Sequence, residues 1–257
     1  MRIHAPGLIT VVGILAGGLI SGCQPPRPGP EAAPLAPAEP DLASHDAAPR
    51  PGLDAALSAF QGFGRAVIDG DVEAAEGLSF GKDSSKELLK EIVGVRRSSN
   101  AFRARLVEAY GAEAGGEFPR YAEFLSACAV GALGGPHAAL LNEEVVAGAQ
   151  VNLTDDKAAV TLDGYDVCSM VARNGQWQID LDSGQTYPSA AQQAIMLKAF
   201  QRMGEIHTEL AAGITAENLT AEQMETEMET AFSNDPILGQ LQAAIVQAAA
   251  EKGMSLP

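Results

Sequence analysis

The dipeptide Asn174-Gly175 lies between two stretches in which apolar and polar residues alternate. This combination is the strongest short-range signal for a β-hairpin with a two-residue turn. A two-residue turn also fixes the register, because the residues on either side of it must face each other. The predicted pairs are Arg173 with Gln176, Ala172 with Trp177, Met170 with Ile179, and Cys168 with Leu181. The last three pairs share one face, which we expect to be buried.

The hairpin belongs to a longer segment in which the hydrophobic period is two. Strands are predicted over residues 145–153, 158–162, 166–173 and 176–181, with turns at 154–157 and at Asp163-Gly164. Short connections between successive strands favour antiparallel pairing of neighbours. The segment is therefore predicted to be a four-stranded antiparallel β-meander.

On both sides of the meander, apolar residues recur at the three-and-four spacing of amphipathic helices. Predicted helices precede it at 53–68, at 72–78 with Asp71 as its cap, from a capping box of Ser84 and Glu87 to residue 110, and at 119–133, where Gly134-Gly135-Pro136 turns the chain and ends the helix. A break of the third helix at Ser98-Ser99-Asn100 stays open. Predicted helices follow it at 190–210 (closed by Gly213), from the capping box Thr220–Gln223, and from Asp235-Pro236 to Gly253. The predicted fold class is α+β: N-terminal helices, the four-stranded antiparallel meander, and C-terminal helices packed on it. We expect a single domain over residues 52–257.

The N-terminus has the pattern of an export signal. A short basic stretch precedes an apolar, glycine-containing run over residues 8–20, shorter than the ~20 apolar residues that cross a bilayer. This is the arrangement of a secretory signal peptide. The run ends in Ile20-Ser21-Gly22-Cys23, a branched apolar residue followed by two small residues and a cysteine.

Ile20–Cys23 resembles the lipobox of bacterial lipoproteins. The resemblance implies that residues 1–22 are a cleaved signal peptide, that the Cys23 thiol carries diacylglycerol, and that the new N-terminus is acylated with a fatty acid such as palmitate. Two or more acyl chains anchor a protein firmly, so the expected location is the cell envelope, with the membrane as partner through Cys23. Gln24 stands where an Asp is associated with inner-membrane retention in enterobacteria, which favours the outer membrane, facing the periplasm. The alternative is an ordinary signal peptide with an incidental Cys23.

Residues 23–51 form the predicted tether. Proline and alanine dominate them and bulky apolar side chains are almost absent, so they cannot bury enough surface to offset their ordering entropy. A polyproline-like spacer of this length reaches roughly 80–90 Å at ~3.1 Å per residue. The segment is expected to be a disordered linker that holds the folded domain away from the membrane; a proline-recognition motif is the alternative.

The formal net charge is −16, and removal of residues 1–22, whose only charged side chain is Arg2, makes it −17. A surface this acidic repels phosphate backbones, so no nucleic-acid partner is expected. Six of the 17 basic residues nevertheless fall on one predicted helix: Lys86, Lys90, Arg96, Arg97, Arg103 and Arg105. They indicate either a patch for an anionic partner or, as we favour, a solvated helix face balanced by glutamates.

The two remaining cysteines, Cys128 and Cys168, lie on core-facing stripes of a helix and a strand. An exported protein meets an oxidising compartment, so a Cys128–Cys168 disulfide is one alternative and two separate buried thiols the other. No metal or cofactor is predicted. His207 has no partner at helical metal-ligand spacing and is expected at the surface or its boundary. The stretch Asp180–Gly184 starts like a calcium loop but has glycine in place of the third oxygen ligand.

The helix end Ala66–Asp71 and the last strand Asn174–Leu181 resemble exported NTF2-like proteins. The resemblance implies a curved sheet that cups helices over a cone-shaped cavity, although the helices after the final strand depart from that pattern. That superfamily contains enzymes and non-enzymatic binding modules, so function does not follow from fold. The leading hypothesis is a non-catalytic envelope module that binds a protein or small ligand. The alternatives are an NTF2-like hydrolase or isomerase with Asp166 as general base beside Tyr165, and an acidic structural spacer.

Overall fold

The computed structural model describes residues 52–116, 121–133, 143–162, 165–183, 188–216 and 219–251. The predicted signal peptide, Cys23 and the tether lie outside the described residues, as does the predicted turn around Pro136. Residues 51–256 belong to one compact unit. Within the described part, helices and a sheet are segregated along the chain, which confirms the α+β class.

The sheet has five strands, one more than predicted. They are β1 (Ser79–Phe80), β2 (Gln150–Thr154), β3 (Lys157–Leu162), β4 (Tyr165–Arg173) and β5 (Gln176–Asp180), in the spatial order β1-β5-β4-β3-β2. Strands β2 to β5 pair antiparallel in sequence order, as the meander requires. The extra strand β1 runs parallel to β5, so the sheet is mixed. A two-residue strand has no detectable period, and the sequence therefore gave no signal for β1.

The hairpin confirms the predicted register. Arg173 pairs with Gln176, Ala172 with Trp177, and Met170 with Ile179. Both turn residues have positive φ, 52° at Asn174 and 77° at Gly175, which is the backbone that a type I′ turn needs. Met170, Trp177 and Ile179 are buried on one face of the sheet.

The first predicted strand is wrong over its first half. Residues Glu143–Gly148 form a short helix, and β2 begins only at Gln150. A Cβ at Gly64 would lie 2.5 Å from a methyl carbon of Val146, so this turn of helix packs directly against the glycine. Tertiary packing here overrides the β propensity of the two valines.

Eight helices are present in the described ranges. They are α1 (Leu53–Asp69), α2 (Val72–Gly77), α3 (Asp83–Tyr110), α4 (Tyr121–Leu133), α5 (Glu143–Gly148), α6 (Ala190–Ala216), α7 (Ala221–Ser233) and α8 (Pro236–Glu251). Helix α3 continues through Ser98–Asn100, where the Ser98 hydroxyl contacts the Val95 carbonyl and the Asn100 amide donates to the Ile68 carbonyl. Helix α6 passes through Gly213, where the sequence predicted an end.

Three of the predicted helix caps form and one does not. Asp71 accepts a hydrogen bond from the Ala74 N–H, Thr220 and Gln223 form the capping box, and Asp235 accepts from the N–H groups of Ile237 and Leu238. Helix α3 starts at Asp83, without the predicted box of Ser84 and Glu87. Asp182, which follows β5, accepts from the Lys82 N–H and the Ser85 hydroxyl instead.

The buried residues fall into two groups. The first, here called the sheet core, lies between α1 and the sheet and contains Phe60, Phe63, Val67, Val160, Met170, Trp177, Ile179 and Leu181. The second, here called the bundle core, lies among α3, α4, α6, α7 and α8; its largest buried side chains include Phe102, Met196, Phe200, Met203, Ile206 and Met224. Helix α3 contributes to both, because its Leu89 and Val93 belong to the sheet core.

Candidate functional site

The inner face of the sheet is the place where an NTF2-like cavity would lie. Met170 and Ile179 on this face are fully buried, and Trp177 is 3% exposed. They pack in one hydrophobic cluster with Phe60 and Phe63 of α1. The part of the face formed by these residues is therefore filled with side chains.

The nominal catalytic pair, Asp166 and Tyr165, lies at the start of β4. Their backbones pair with Thr161 and Leu162 of β3. Their side chains lie outside the described part of the structure. The proposal of Asp166 as a general base therefore stays a prediction.

The calcium-like stretch after β5 serves as a turn and a helix cap. The Asp180 carboxylate accepts a hydrogen bond from the Asp182 N–H at 3.0 Å, and Asp182 in turn holds the first turn of α3. Two carboxylates that each bind backbone N–H groups are not directed at one cation. Within the ranges that the structure describes, no group of three or more His, Cys, Asp or Glu side chains could hold a metal ion.

Two of the six basic residues of α3, Arg96 and Arg97, bind backbone carbonyls of the protein itself. The Arg96 side chain is buried, donates to the Ile68 carbonyl and forms an ion pair with Glu123 of α4. Arg97 donates to the Gly70 carbonyl. These two cations meet the carbonyl end of α1, where positive charge is favourable. The arrangement weakens the hypothesis of an anion-binding patch, and the alternative of a solvated face is wrong for Arg96.

Cys128 and Cys168 are both free and buried in the structure. Cys168 belongs to the sheet core, whereas Cys128 lies on α4. Burial raises the pKa of the Cys128 thiol to about 11 and also raises the pKa of Cys168. Both thiols are protonated at neutral pH, which makes them poor nucleophiles. Of the two alternatives left open by the sequence, the structure contains the pair of separate thiols.

His207 is not at the surface, as the sequence suggested, but in the bundle core, where it is 1% exposed. Its ring stacks on Phe102 of α3, with centroids 5.6 Å apart, and lies 5.5 Å from the ring of Phe232 on α7. The prediction failed because α6 is contacted by α3, α4, α7 and α8. A helix at the centre of a bundle buries a wider face than one apolar stripe.

The Ser98 hydroxyl oxygen lies 2.9 Å from the Val95 carbonyl oxygen and 2.9 Å from Nδ1 of His207. In either tautomer of the ring, Nδ1 therefore has a hydrogen-bond partner in Ser98. Among the residues described, Nε2 is buried and has no hydrogen-bond partner. Burial lowers the pKa of His207 to about 4, so the ring is neutral at pH 7.

Ser98 and His207 are in hydrogen-bond contact but lack the other parts of a nucleophile–base pair. His207 is buried, and among the described residues no third group holds its Nε2. A catalytic base is oriented by a third group and lies within reach of the substrate. These residues lie 109 positions apart, so no local spacing in the sequence could have indicated their contact.

An open groove of about 490 Å³ runs along the outer side of α3 and α6. Its floor includes Phe200 and Gly204, and its rim carries Glu91, Gln201, Glu205, Thr208 and Glu209. Gln201 donates to Glu91 across the groove at 3.3 Å, and Arg202 binds Glu205 and Glu209 beside it. The groove therefore combines a partly apolar floor with an acidic rim.

Comparison with known proteins assigns no family to this chain. No protein-family model matches it, and neither the curated proteins nor the solved structures contain a match. None of the helices in the described ranges has the length and apolar composition to cross a bilayer.

Proposed function

We propose that this chain is a lipid-anchored cell-envelope protein whose folded domain is a non-catalytic binding or accessory module. The filled sheet face is the observation that supports a non-catalytic domain. An NTF2-like enzyme needs an open pocket on that face, whereas Met170, Trp177 and Ile179 occupy it. This favours a binding module, whose contacts lie on its outer surface, over the enzyme.

The anchor is supported by the position of Cys23 in the sequence. Cys23 follows a short apolar run and the pair Ser21-Gly22, and it precedes the proline- and alanine-rich tether. In this order a lipidated Cys23 holds the domain at the membrane while the tether sets its distance. We place the domain in the periplasm, with the outer membrane favoured.

We assign partner binding to the groove along α3 and α6. Its partly apolar floor at Phe200 can accept an apolar side chain, and its rim of Glu91, Glu205 and Glu209 favours a basic neighbour. The net charge of the chain has the same sign as the rim, so long-range attraction also selects a basic partner surface. The expected partner is an envelope protein with a basic, apolar-tipped segment.

Fatty-acid labelling tests the anchor. Cells that express the chain are grown with a palmitate analogue, and the protein is then isolated and its label measured. Cys23→Ala is expected to abolish labelling and to release the protein from the membrane fraction. Cys128→Ala is the matched control and should keep both the fatty-acid label and the association with the membrane fraction. Labelling that persists in Cys23→Ala would contradict the anchor.

In-cell photo-cross-linking tests the binding role. A photoreactive amino acid replaces Gln201 on the groove rim or, as the control, Lys157, the exposed first residue of β3. We expect one discrete adduct with a basic envelope protein from position 201 and none from position 157. Adducts that are absent, or equal at both positions, would remove the support for a partner in this groove and favour the acidic spacer.

A further inference from the structure

Helix α7 (Ala221–Ser233) covers the bundle core with a narrow apolar stripe. Met224, Met228 and Phe232 are its buried residues, at 1%, 4% and 5% exposure. Its outer surface is acidic and exposed at Glu222, Glu225 and Glu227. The helix is amphipathic, with few buried side chains to hold it in place.

Three contacts fasten this helix to the rest of the bundle. Before its first turn, the Tyr110 hydroxyl donates to the Leu219 carbonyl at 2.8 Å. After its last turn, Arg202 donates to Asp235 at 2.8 Å. Between them, the Phe232 ring packs between those of His207 and Tyr121, with centroids 5.5 and 5.7 Å away. The central fastening is thus an aromatic cluster that contains one titratable ring.

We propose that His207 is an acid-sensitive latch whose protonation releases helix Ala221–Ser233 from the bundle and exposes the apolar stripe of Met224, Met228 and Phe232. Both ring nitrogens of an imidazolium carry a proton, and only Nδ1–H has an acceptor here, the Ser98 hydroxyl. Nε2–H would then be a charged donor in an apolar site without an acceptor. Release of α7 lets water reach the imidazolium ring. The inference goes beyond the proposed function and does not depend on the lipid anchor.

Among the described residues, no carboxylate forms a hydrogen bond or ion pair with His207. The titratable and charged side chains that flank its contacts along α3 are Arg96, Arg97, Arg103, Arg105 and Tyr110, and those of α4 are Tyr121, Glu123 and Cys128. Glu123 is paired with Arg96, and the Tyr121 hydroxyl accepts from Gln242. Burial raises the pKa values of Tyr121 and Cys128, so both stay neutral in acid.

The remaining groups lie on α6, α7 and α8. On α7, Glu225 is exposed and Glu229 is partly buried. Within α8, Glu251 at the end of the helix is the only titratable residue. On α6, the carboxylates of Glu205 and Glu209 bind Arg202. The hydrogen bond from Arg202 lowers the pKa of Glu209. Burial raises the pKa of Asp235, but the hydrogen bonds that Asp235 accepts from Arg202 and from the N–H groups of Leu238 and Ile237 outweigh burial, so its pKa is lowered. The Arg202 fastening therefore persists at pH 5, and His207 is the group that changes.

The size of the effect follows from the two states of the ring. His207 has a pKa of about 4 in the closed state, and an exposed histidine has a pKa of about 6.5. The released state therefore binds the proton more tightly, and acid favours release. Between pH 7.5 and pH 5 the equilibrium constant for opening is expected to rise roughly 30-fold.

Hydrogen–deuterium exchange by mass spectrometry tests this on the full-length mature chain. Exchange is measured at pH 7.5 and pH 5, and each rate is divided by the intrinsic rate at that pH. Peptides from 219–233 report on α7, and peptides from 165–180 report on the sheet, which the latch does not hold. In the wild type we expect the corrected rates of α7 to rise 10- to 30-fold and to exceed those of the sheet at both pH values, because α7 opens while the sheet stays folded.

His207→Phe keeps an aromatic ring between Phe102 and Phe232 and removes the titration, so the rise in α7 should disappear. His137→Phe is the control and should keep the rise in the exchange rates of α7. The latch is overturned if α7 exchanges no faster than the sheet at pH 5, if α7 stays constant in the wild type, or if His207→Phe retains the rise. If His207→Phe fails to fold, the exchange rates of the α7 and sheet peptides in the wild type decide the question by themselves.

Discussion

The sheet core and the bundle core are built by different rules. Of the six buried polar residues in the described chain, Arg96, Ser99, Ser126 and His207 lie on bundle helices. The other two, Ser79 and Ser85, lie at β1 and at the start of α3. The sheet core therefore depends on apolar shape, whereas the bundle core also depends on partners for polar groups. The first should respond mainly to lost volume, and the second to lost partners and to pH.

The largest effect is expected in the sheet core. Trp177→Ala should lower the free energy of unfolding by about 4 kcal/mol, because it removes the largest side chain of a filled face and leaves a cavity. Urea unfolding followed by far-UV circular dichroism measures the change. Gln176→Ala, at an exposed position next to the turn, is the control and should stay within about 0.5 kcal/mol. A loss below about 1.5 kcal/mol for Trp177→Ala would mean that the sheet face is not tightly packed.

The next largest loss of stability is expected in the bundle core, on removal of a buried charge. Glu123→Ala removes the carboxylate that pairs with Arg96, and both side chains are about nine-tenths buried. Loss of one partner of a buried ion pair should lower the unfolding free energy by about 3 kcal/mol. The exposed pair Arg105–Glu108 provides the control, since Glu108→Ala should cost less than about 1 kcal/mol. Equal losses in the two variants would contradict the distinction between the cores.

The two cores also differ in what the sequence could predict. Asn174-Gly175 and the alternation around it were sufficient for the hairpin register, because turn type and side-chain period are local properties. The same local rules missed β1, which is two residues long, and assigned residues 145–148 to a strand although they belong to a helix. In both cases the deciding contacts come from distant parts of the chain.

In the bundle the missed features are pairs that are distant in sequence. Arg96 meets Glu123 on another helix, and Ser98 meets His207 across 109 positions. Periodicity states which face of a helix is buried but not which polar residue finds a partner there. For this reason Arg96 was predicted on a solvated face and His207 at the surface. The lipid anchor at Cys23 rests on local sequence alone and stays a prediction.

The pH dependence of stability offers a third test. Burial lowers the pKa of His207 to about 4 in the folded protein, whereas it is about 6.5 in the unfolded chain. The unfolded state binds more protons between these values, so His207 costs stability as pH falls through 6.5 towards 4. From pH 7.5 to pH 5 the wild type should lose about 2 kcal/mol more than His207→Phe. Urea titrations of both proteins at the two pH values measure this difference. Identical losses would show that the ring is not buried as a neutral group.

The smallest effect concerns Asp182, which lies at the junction between the two cores. Its carboxylate follows β5 and accepts hydrogen bonds from the Lys82 N–H and the Ser85 hydroxyl at the start of α3. Asp182→Ala should therefore lower the unfolding free energy by about 1 kcal/mol, as expected for the loss of a helix N-cap. Glu87→Ala, which removes the cap predicted from local sequence, should change it by less than about 0.5 kcal/mol. If Glu87→Ala had the larger effect, the local capping box would operate in solution, and the end of the sheet would not fix the start of the bundle's longest helix.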